Sequence, residues 1–214
     1  ARQTHRLTVA LQDRLARAAR DGSLQRMPPI LTFQSVVDFT VSTRAVIASL
    51  YALLPANGSE LVLFDLNRAA KVSSALLRNQ SETVLTRILP DPPRRFRTTI
   101  IANVADDRQE VAEQATEAGA VSERTRDLGL AFPPGLFSLS HVALPFPMND
   151  ALYGLQPDEQ ESFGVNLGAI APRGERGVLI VDLDALVRVS SNPFFPYVLE
   201  RLDQGLVVPG QAKP

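Results

Sequence analysis

Apolar positions along this chain change their period several times, and the changes mark out its elements. Between residues 6 and 19, Leu7, Leu11 and Leu15 recur four apart with charged residues between them. That spacing places them on one face of an amphipathic helix, which ends near Gly22. Met27-Pro28-Pro29 breaks the pattern. Ile30 to Phe33 is a short apolar run that reads as a buried strand, and Ser42 or Thr43 caps a helix in which Val46, Leu50, Leu53 and Leu54 recur. Pro55 and Asn57-Gly58 terminate it. Leu61-Val62-Leu63-Phe64 is a second strand, and Asp65-Leu66-Asn67 turns into another helical pattern carrying Val72, Leu76 and Leu77.

Strand, helix, strand and helix in this order predict an α/β fold, a mostly parallel sheet with covering helices, because parallel neighbours need a crossover long enough to pack on a sheet face. A third strand is expected at Phe96 to Ala102. The acid-rich, alanine-rich stretch from Asp107 to Ala118, stopped by Gly119, reads as an exposed helix. Pro133-Pro134-Gly135 and Pro145-Phe146-Pro147 bracket Leu136 to Leu144, so His141 lies in a short extended piece held between turns. Glycines at 154, 164, 168, 174 and 177 make the last third loop-rich until a strand at Val178-Leu179-Ile180-Val181. Asn192-Pro193 then supplies the cap and first position of a terminal helix through Leu202. Residues 207–214 read as a flexible tail, and no linker divides residues 1–214 into two domains.

Composition narrows the chemistry. With 214 residues, 45% of them hydrophobic, the chain can bury a substantial core. A formal net charge of −1 gives no electrostatic reason to expect nucleic acid as a partner. Arg94-Arg95-Phe96-Arg97 reads as a solvated turn before it reads as a phosphate site. No window reaches the roughly 18 consecutive apolar residues of a transmembrane helix. The absence of cysteine removes thiol nucleophiles, disulfides and Cys-zinc sites, and leaves the compartment, cytoplasmic or periplasmic, open. Two histidines, His5 and His141, and scattered carboxylates give no metal-ligand spacing, and nothing calls for a cofactor.

One arrangement carries catalytic chemistry. A hydroxyl nucleophile needs a neutral imidazole to take its proton, and the imidazole needs a carboxylate to fix its tautomer and stabilise the imidazolium. Asp38, just past the first strand, and His141 are the residue types for those two roles. Each also has a structural reading: Asp38 as a helix cap or turn acid, His141 as a satisfied structural histidine. His5, among Arg2, Gln3, Thr4 and Arg6 at a chain end, is the weaker rival. The nucleophile itself is missing, since none of the twelve glycines builds G-x-S-x-G. Gly164-Val165-Asn166-Leu167-Gly168 has the glycine spacing with asparagine at its centre. Gly174-Glu175-Arg176-Gly177 reads as a turn between strands.

Several segments together resemble a known family. Pro29 to Val41, containing Phe33-Gln34-Ser35-Val36-Val37-Asp38, Leu61 to Arg68, Ser138 to Pro147 and Leu152-Tyr153-Gly154 are similar to the C-terminal half of bacterial α/β-hydrolase fold proteins, of the kinds labelled lysophospholipase-like or serine aminopeptidase-like. Gly174 to Gly177 and Asn192 to Tyr197 resemble that group's closing segments, so the likeness runs from about Pro29 to Tyr197. The resemblance implies a serine hydrolase of carboxylic esters, with a lipid or other apolar acyl substrate. It implies Asp38 as the orienting acid and His141 as the general base. A typical member places its histidine soon after the strand that here ends at Phe64, so the stretch from Asp65 to His141 would be an insertion and Asp65 becomes a second candidate acid. The chain opens at Ala1 and runs straight into a helical pattern; on this reading the serine and the oxyanion amides lie upstream, and the polypeptide alone is inactive.

Overall fold

In a computed structural model of the chain, residues 2–36, 38, 41–66, 88–105, 107–132, 141–151 and 191–206 are described, His141 and Leu206 by their backbone alone. The elements are α1 (Arg2–Arg20), β1 (Leu31–Ser35), α2 (Thr43–Val46, continued by a π-helical turn Ile47–Tyr51), β2 (Glu60–Asp65), β3 (Arg97–Asn103), β4 (Glu110–Thr116), β5 (Glu123–Ala131), a 3₁₀ turn His141–Ala143 and α3 (Phe195–Leu206). The expected helix with Val72, Leu76 and Leu77, the Gly164 to Gly168 and Gly174 to Gly177 segments, the Val178 to Val181 strand and the tail 207–214 lie outside the described residues.

The five strands form one sheet in the order β1-β2-β3-β4-β5. β1, β2 and β3 run parallel, Phe33 opposite Val62 and Val62 opposite Thr99. β3, β4 and β5 are antiparallel, Ile101 opposite Glu113 and Glu113 opposite Arg126. The chain is therefore of the α/β class, with a mixed sheet in place of the mostly parallel one expected.

β2 explains how the layers are held. All six of its residues are buried, Glu60 and Asp65 included, and the four between them, Leu61 to Phe64, are the continuous apolar run of a strand covered on both faces. Side chains alternate across a strand, and here they divide between two cores. Leu61 and Leu63 join Val36, Ile47, Tyr51, Leu54 and Phe96 on the α2 side. Val62 and Phe64 join Ile101, Val111, Phe132, Val142, Phe194 and Tyr197 on the other. Each of these side chains contributes about 1.5–3 kcal/mol by leaving water. The rings of Phe64 and Phe194 lie 5.3 Å apart and those of Phe132 and Phe194 5.9 Å apart, which docks α3 on the sheet. On the α2 side the buried Tyr51 hydroxyl bonds the Glu60 carbonyl at 2.5 Å, and burial pushes its phenol up to about 12.

Residues 107–118 depart furthest from expectation. The helix anticipated there is the strand β4. Alanines and glutamates at near-helical spacing favour a helix only weakly, and pairing with both β3 and β5 overrides that preference. Glu113 is 5% exposed. Its partners belong to the sheet and the helix above it: Arg126 donates from Nε at 2.9 Å and from a terminal nitrogen at 3.2 Å, and the Tyr197 hydroxyl donates at 3.0 Å. β5 was not foreseen, because its alternating charges, Glu123, Arg124, Arg126 and Asp127, resemble a solvated loop and the strand is mostly exposed. Gly119, at φ 78°, turns the chain between β4 and β5. The first predicted helix forms as α1, but it has no buried residue and Leu7 and Leu11 are exposed.

Burial pushes the Glu113 carboxyl up, yet the hydrogen bonds from Arg126 and Tyr197 and the charges of Arg126 and Arg201 outweigh it, leaving the pKa below the ordinary value. A depressed folded-state pKa contributes stability that is present above the unfolded value, about 4.3, and is lost as pH falls through the folded one. Urea unfolding at pH 5 and pH 3 is therefore expected to show a smaller acid loss for Glu113→Gln than for the unmodified chain; equal losses would exclude this role. Tyr197→Phe should cost about 1–2 kcal/mol at pH 7 in the same assay.

Candidate functional site

The carboxyl ends of parallel strands are where α/β sheets assemble ligand and catalytic groups, because loops leave the sheet there toward opposite faces. In this chain those ends bring Ser35, Asp65 and Asn103 to one rim. Beyond Ser35 the Val36 N–H donates to the Phe64 carbonyl at 3.0 Å, so the chain stays on the sheet for one more residue before turning.

The loop that follows carries Asp38 and is braced from three directions. Its own turn closes when the Asp38 N–H donates to the Ser35 carbonyl at 3.2 Å and the Val41 N–H donates to Asp38 Oδ1 at 3.0 Å. From the strand, the buried Gln34 amide donates to the carbonyls of Ser35 at 3.2 Å and Val41 at 3.0 Å. From α2, the Thr43 hydroxyl reaches the carbonyls of Ser35 at 3.0 Å and Val36 at 3.2 Å. The α2 cap is Ser42, whose Oγ accepts from the Ala45 N–H at 3.3 Å. Asp38 is thus not the helix cap. One of its oxygens serves the turn, and the carboxylate is half-buried at the rim.

Asp65 is placed differently. It is the last residue of β2, in register with Ala102 on β3, and is fully buried within the sheet.

His141 opens the 3₁₀ turn His141–Ala143 in place of the extended piece expected, and its side chain lies outside the described residues. The turn is anchored. Val142 is completely buried in the cluster that holds Val62 and Phe64, with Leu31, Phe33 and Ala143 packed at its margin. The turn is a neighbour of β1 and of α3. Downstream of it, the fully buried Asn192 donates from Nδ2 to the Leu144 carbonyl at 2.9 Å and from its backbone N–H to the Phe146 carbonyl at 2.7 Å. Its Oδ1 accepts from the Phe194 N–H at 2.8 Å, so the terminal helix is capped by the predicted residue. The regular helix begins at Phe195, two residues later than the sequence suggested. The structure thus brings the β1 that leads into Asp38 and the turn that begins at His141 into one neighbourhood, while His5 sits on the exposed α1.

Gln34, the contact of Thr43 with the Ser35 and Val36 carbonyls and the second role of Asn192 escape a reading by residue type. Polar side chains inside apolar runs were the available signal, since a buried amide or hydroxyl requires a partner.

A cavity of about 340 Å³ opens at the opposite end of the sheet, between the first residues of β1, β2 and β3 and the last turns of α3. Two arginines and one glutamate line it: Arg201 donates to the Glu60 carboxylate, Arg97 Nε lies 3.5 Å from it, and the Thr99 hydroxyl donates to it at 2.8 Å, while the Nε atoms of Arg97 and Arg201 are buried without a hydrogen-bond partner among the described residues. Among the described residues no group of three or more His, Cys, Asp or Glu could hold a metal ion, and no helix is long and apolar enough to cross a membrane.

Replacing Gln34 by Leu removes the donor to the Val41 carbonyl. Hydrogen exchange at the Asp38 and Val41 amides is expected to accelerate about tenfold or more, while the Leu63 amide keeps its protection; unchanged exchange at Asp38 and Val41 would show the brace to be idle.

Comparison with protein-family models, with curated proteins and with solved structures finds no match to this chain.

Proposed function

We propose that this chain carries the acid and the base of a serine hydrolase of the α/β-hydrolase type, acting on a carboxylic ester with a lipid or other apolar acyl group. The observation that carries the reading is the packing of the turn begun by His141 beside β1, the strand whose carboxyl end leads into the braced Asp38 loop. Asp38 is preferred to Asp65 because it stands on a loop at the rim, where an imidazole can approach, whereas Asp65 is enclosed in the sheet. The ester substrate and the hydrolase family rest on the sequence resemblance.

In the proposed reaction His141 takes the proton of a serine as its oxygen attacks the ester carbonyl, then passes it to the leaving alcohol. Water repeats the cycle on the acyl-serine. Asp38 holds the imidazole in the tautomer that leaves the other ring nitrogen basic, and stabilises the imidazolium. With no G-x-S-x-G in the chain, the serine is supplied from an upstream segment. A second reading is favoured by the Val41 N–H bond to Asp38: the acid is then a turn residue, and the chain a non-catalytic α/β-hydrolase-like binding module or another doubly wound domain that binds a small ligand.

Two histidines make the test direct. In a proton NMR titration, with His5→Gln assigning the signals, Asp38→Asn is expected to lower the His141 midpoint by about one pH unit, since a neighbouring carboxylate favours the imidazolium. Asp65→Asn should leave the midpoint in place. An Asp38→Asn midpoint equal to the unmodified one would favour the second reading. The polypeptide alone should not turn over p-nitrophenyl butyrate; turnover abolished by His141→Ala would overturn the assignment of the serine to an upstream segment.

A further inference from the structure

We infer that the cavity at the starts of β1, β2 and β3 is a binding site for a small aliphatic carboxylate, with Arg97 and Arg201 receiving the charged end. The inference does not depend on the hydrolase reading, since the rim that carries Asp38 and Asp65 is at the other end of the sheet.

Two periodicities bring the charges together. Leu31, Glu60 and Arg97 are in register across the three parallel strands, so their side chains leave the same face of the sheet. It is also the face of Val62, two residues beyond Glu60, on which α3 is docked. Along α3, Tyr197, Arg201 and Gly205 succeed one another four apart, which sets Arg201 on the side of the helix that Tyr197 buries against the sheet. Arg201 is 9% exposed. Its two terminal nitrogens are engaged, one with a Glu60 carboxylate oxygen and the other with the Gln204 side-chain oxygen. The second Glu60 oxygen accepts from the Thr99 hydroxyl at 2.8 Å.

What is left over is donors. Nε of Arg97 and Nε of Arg201 are both buried with no hydrogen-bond partner among the described residues. Arg97 Nε has ion partners at lengths beyond an ordinary hydrogen bond, Glu60 at 3.5 Å and Glu117 at 3.6 Å. Buried donors without an acceptor are rare, because each has lost its water without replacing it. Two of them on residues that line one cavity call for an acceptor that enters it. The net charge of the lining agrees. It holds two guanidinium groups and one carboxylate, which leaves one positive charge in surplus. Glu117 stands outside the lining and is half-exposed, so water screens its pull on Arg97.

The surplus and the walls together define the ligand class. A monoanion matches one positive charge, whereas a dianion such as phosphate is repelled by the Glu60 carboxylate that both arginines already face. Guanidinium groups suit the paired, planar oxygens of a carboxylate. Pro29, Ile30 and Leu31 supply an apolar wall for a short hydrocarbon chain. The volume, about 340 Å³, is enough for a small molecule, since such sites span roughly 300–1,000 Å³.

The test is a titration of the unmodified chain with sodium hexanoate at matched ionic strength, read from the arginine Nε–H signals in nitrogen-proton NMR. The Arg97 and Arg201 signals are expected to move together and to saturate with a Kd of about 1 mM or tighter. 1-Hexanol, which has the chain without the charge, and inorganic phosphate, which has charge without the chain, should each bind at least about tenfold more weakly. Arg97→Gln, which keeps the β3 backbone bond to Ser59, should weaken hexanoate about fivefold or more. Absence of a saturable shift at Arg97 and Arg201 overturns the inference, as does an unchanged affinity in a folded Arg97→Gln. Hexanol binding as tightly as hexanoate would make the cavity an apolar pocket, and phosphate binding as tightly would make it a general anion site; either result overturns the carboxylate assignment. Should Arg97→Gln not fold, the unmodified chain decides: shifts spread over the surface arginines, Arg44 and Arg124 among them, and no larger at Arg97 and Arg201 overturn the inference.

Discussion

The two-sided burial of β2 is the constraint on which the other parts depend. Its four central residues, Leu61 to Phe64, have no polar face and must be covered above and below, and the two cores that do so are formed by alternate side chains of one strand. A one-residue slip in its register would exchange the contents of the cores and place Phe64 where Leu63 meets Tyr51. The register in turn sets the rim. Because Ser35 lies opposite Phe64 and Asp65 opposite Ala102, the depth of each acid follows from the pairing of β2 with its neighbours.

Much of this was legible because the relevant physics is local. Leu61 to Phe64 could only be a strand covered on both sides, and Ser42 had the residue type and position of a cap. Asn192 was readable as a cap for the same reason. Where sequence reading failed, the deciding interactions were distant. β4 has the composition of a solvated helix, and its strand character comes from Ile101 on one side and Arg126 on the other. Glu113 looks like a surface acid until Tyr197, far along the chain, is seen to donate to it.

The candidate site shows the same division. Asp38 and His141 stood out because few residue types can serve as acid and base, and the two histidines left little choice. The supports of Asp38 did not stand out, since Gln34 and Thr43 are ordinary residues until their donors are traced to the carbonyls of the loop. The contrast between Asp38 and Asp65 was also hidden. Both follow an apolar strand, and only the three-dimensional pairing shows one enclosed in the sheet and the other on a braced loop at its edge.

The bond between Asn192 and Leu144 spans 48 residues and involves the last described helix. Chains are made from their N-terminus, and contacts between distant residues form only after the intervening loop has been closed. Most of the sheet can therefore pair while the ribosome is still extending the chain, yet the segment after His141 stays unfastened until residue 192 and the start of α3 have emerged. The turn at Asp38 is set early in biosynthesis and the segment after His141 late, so a nascent chain pairs most of its sheet well before that segment is fastened to it.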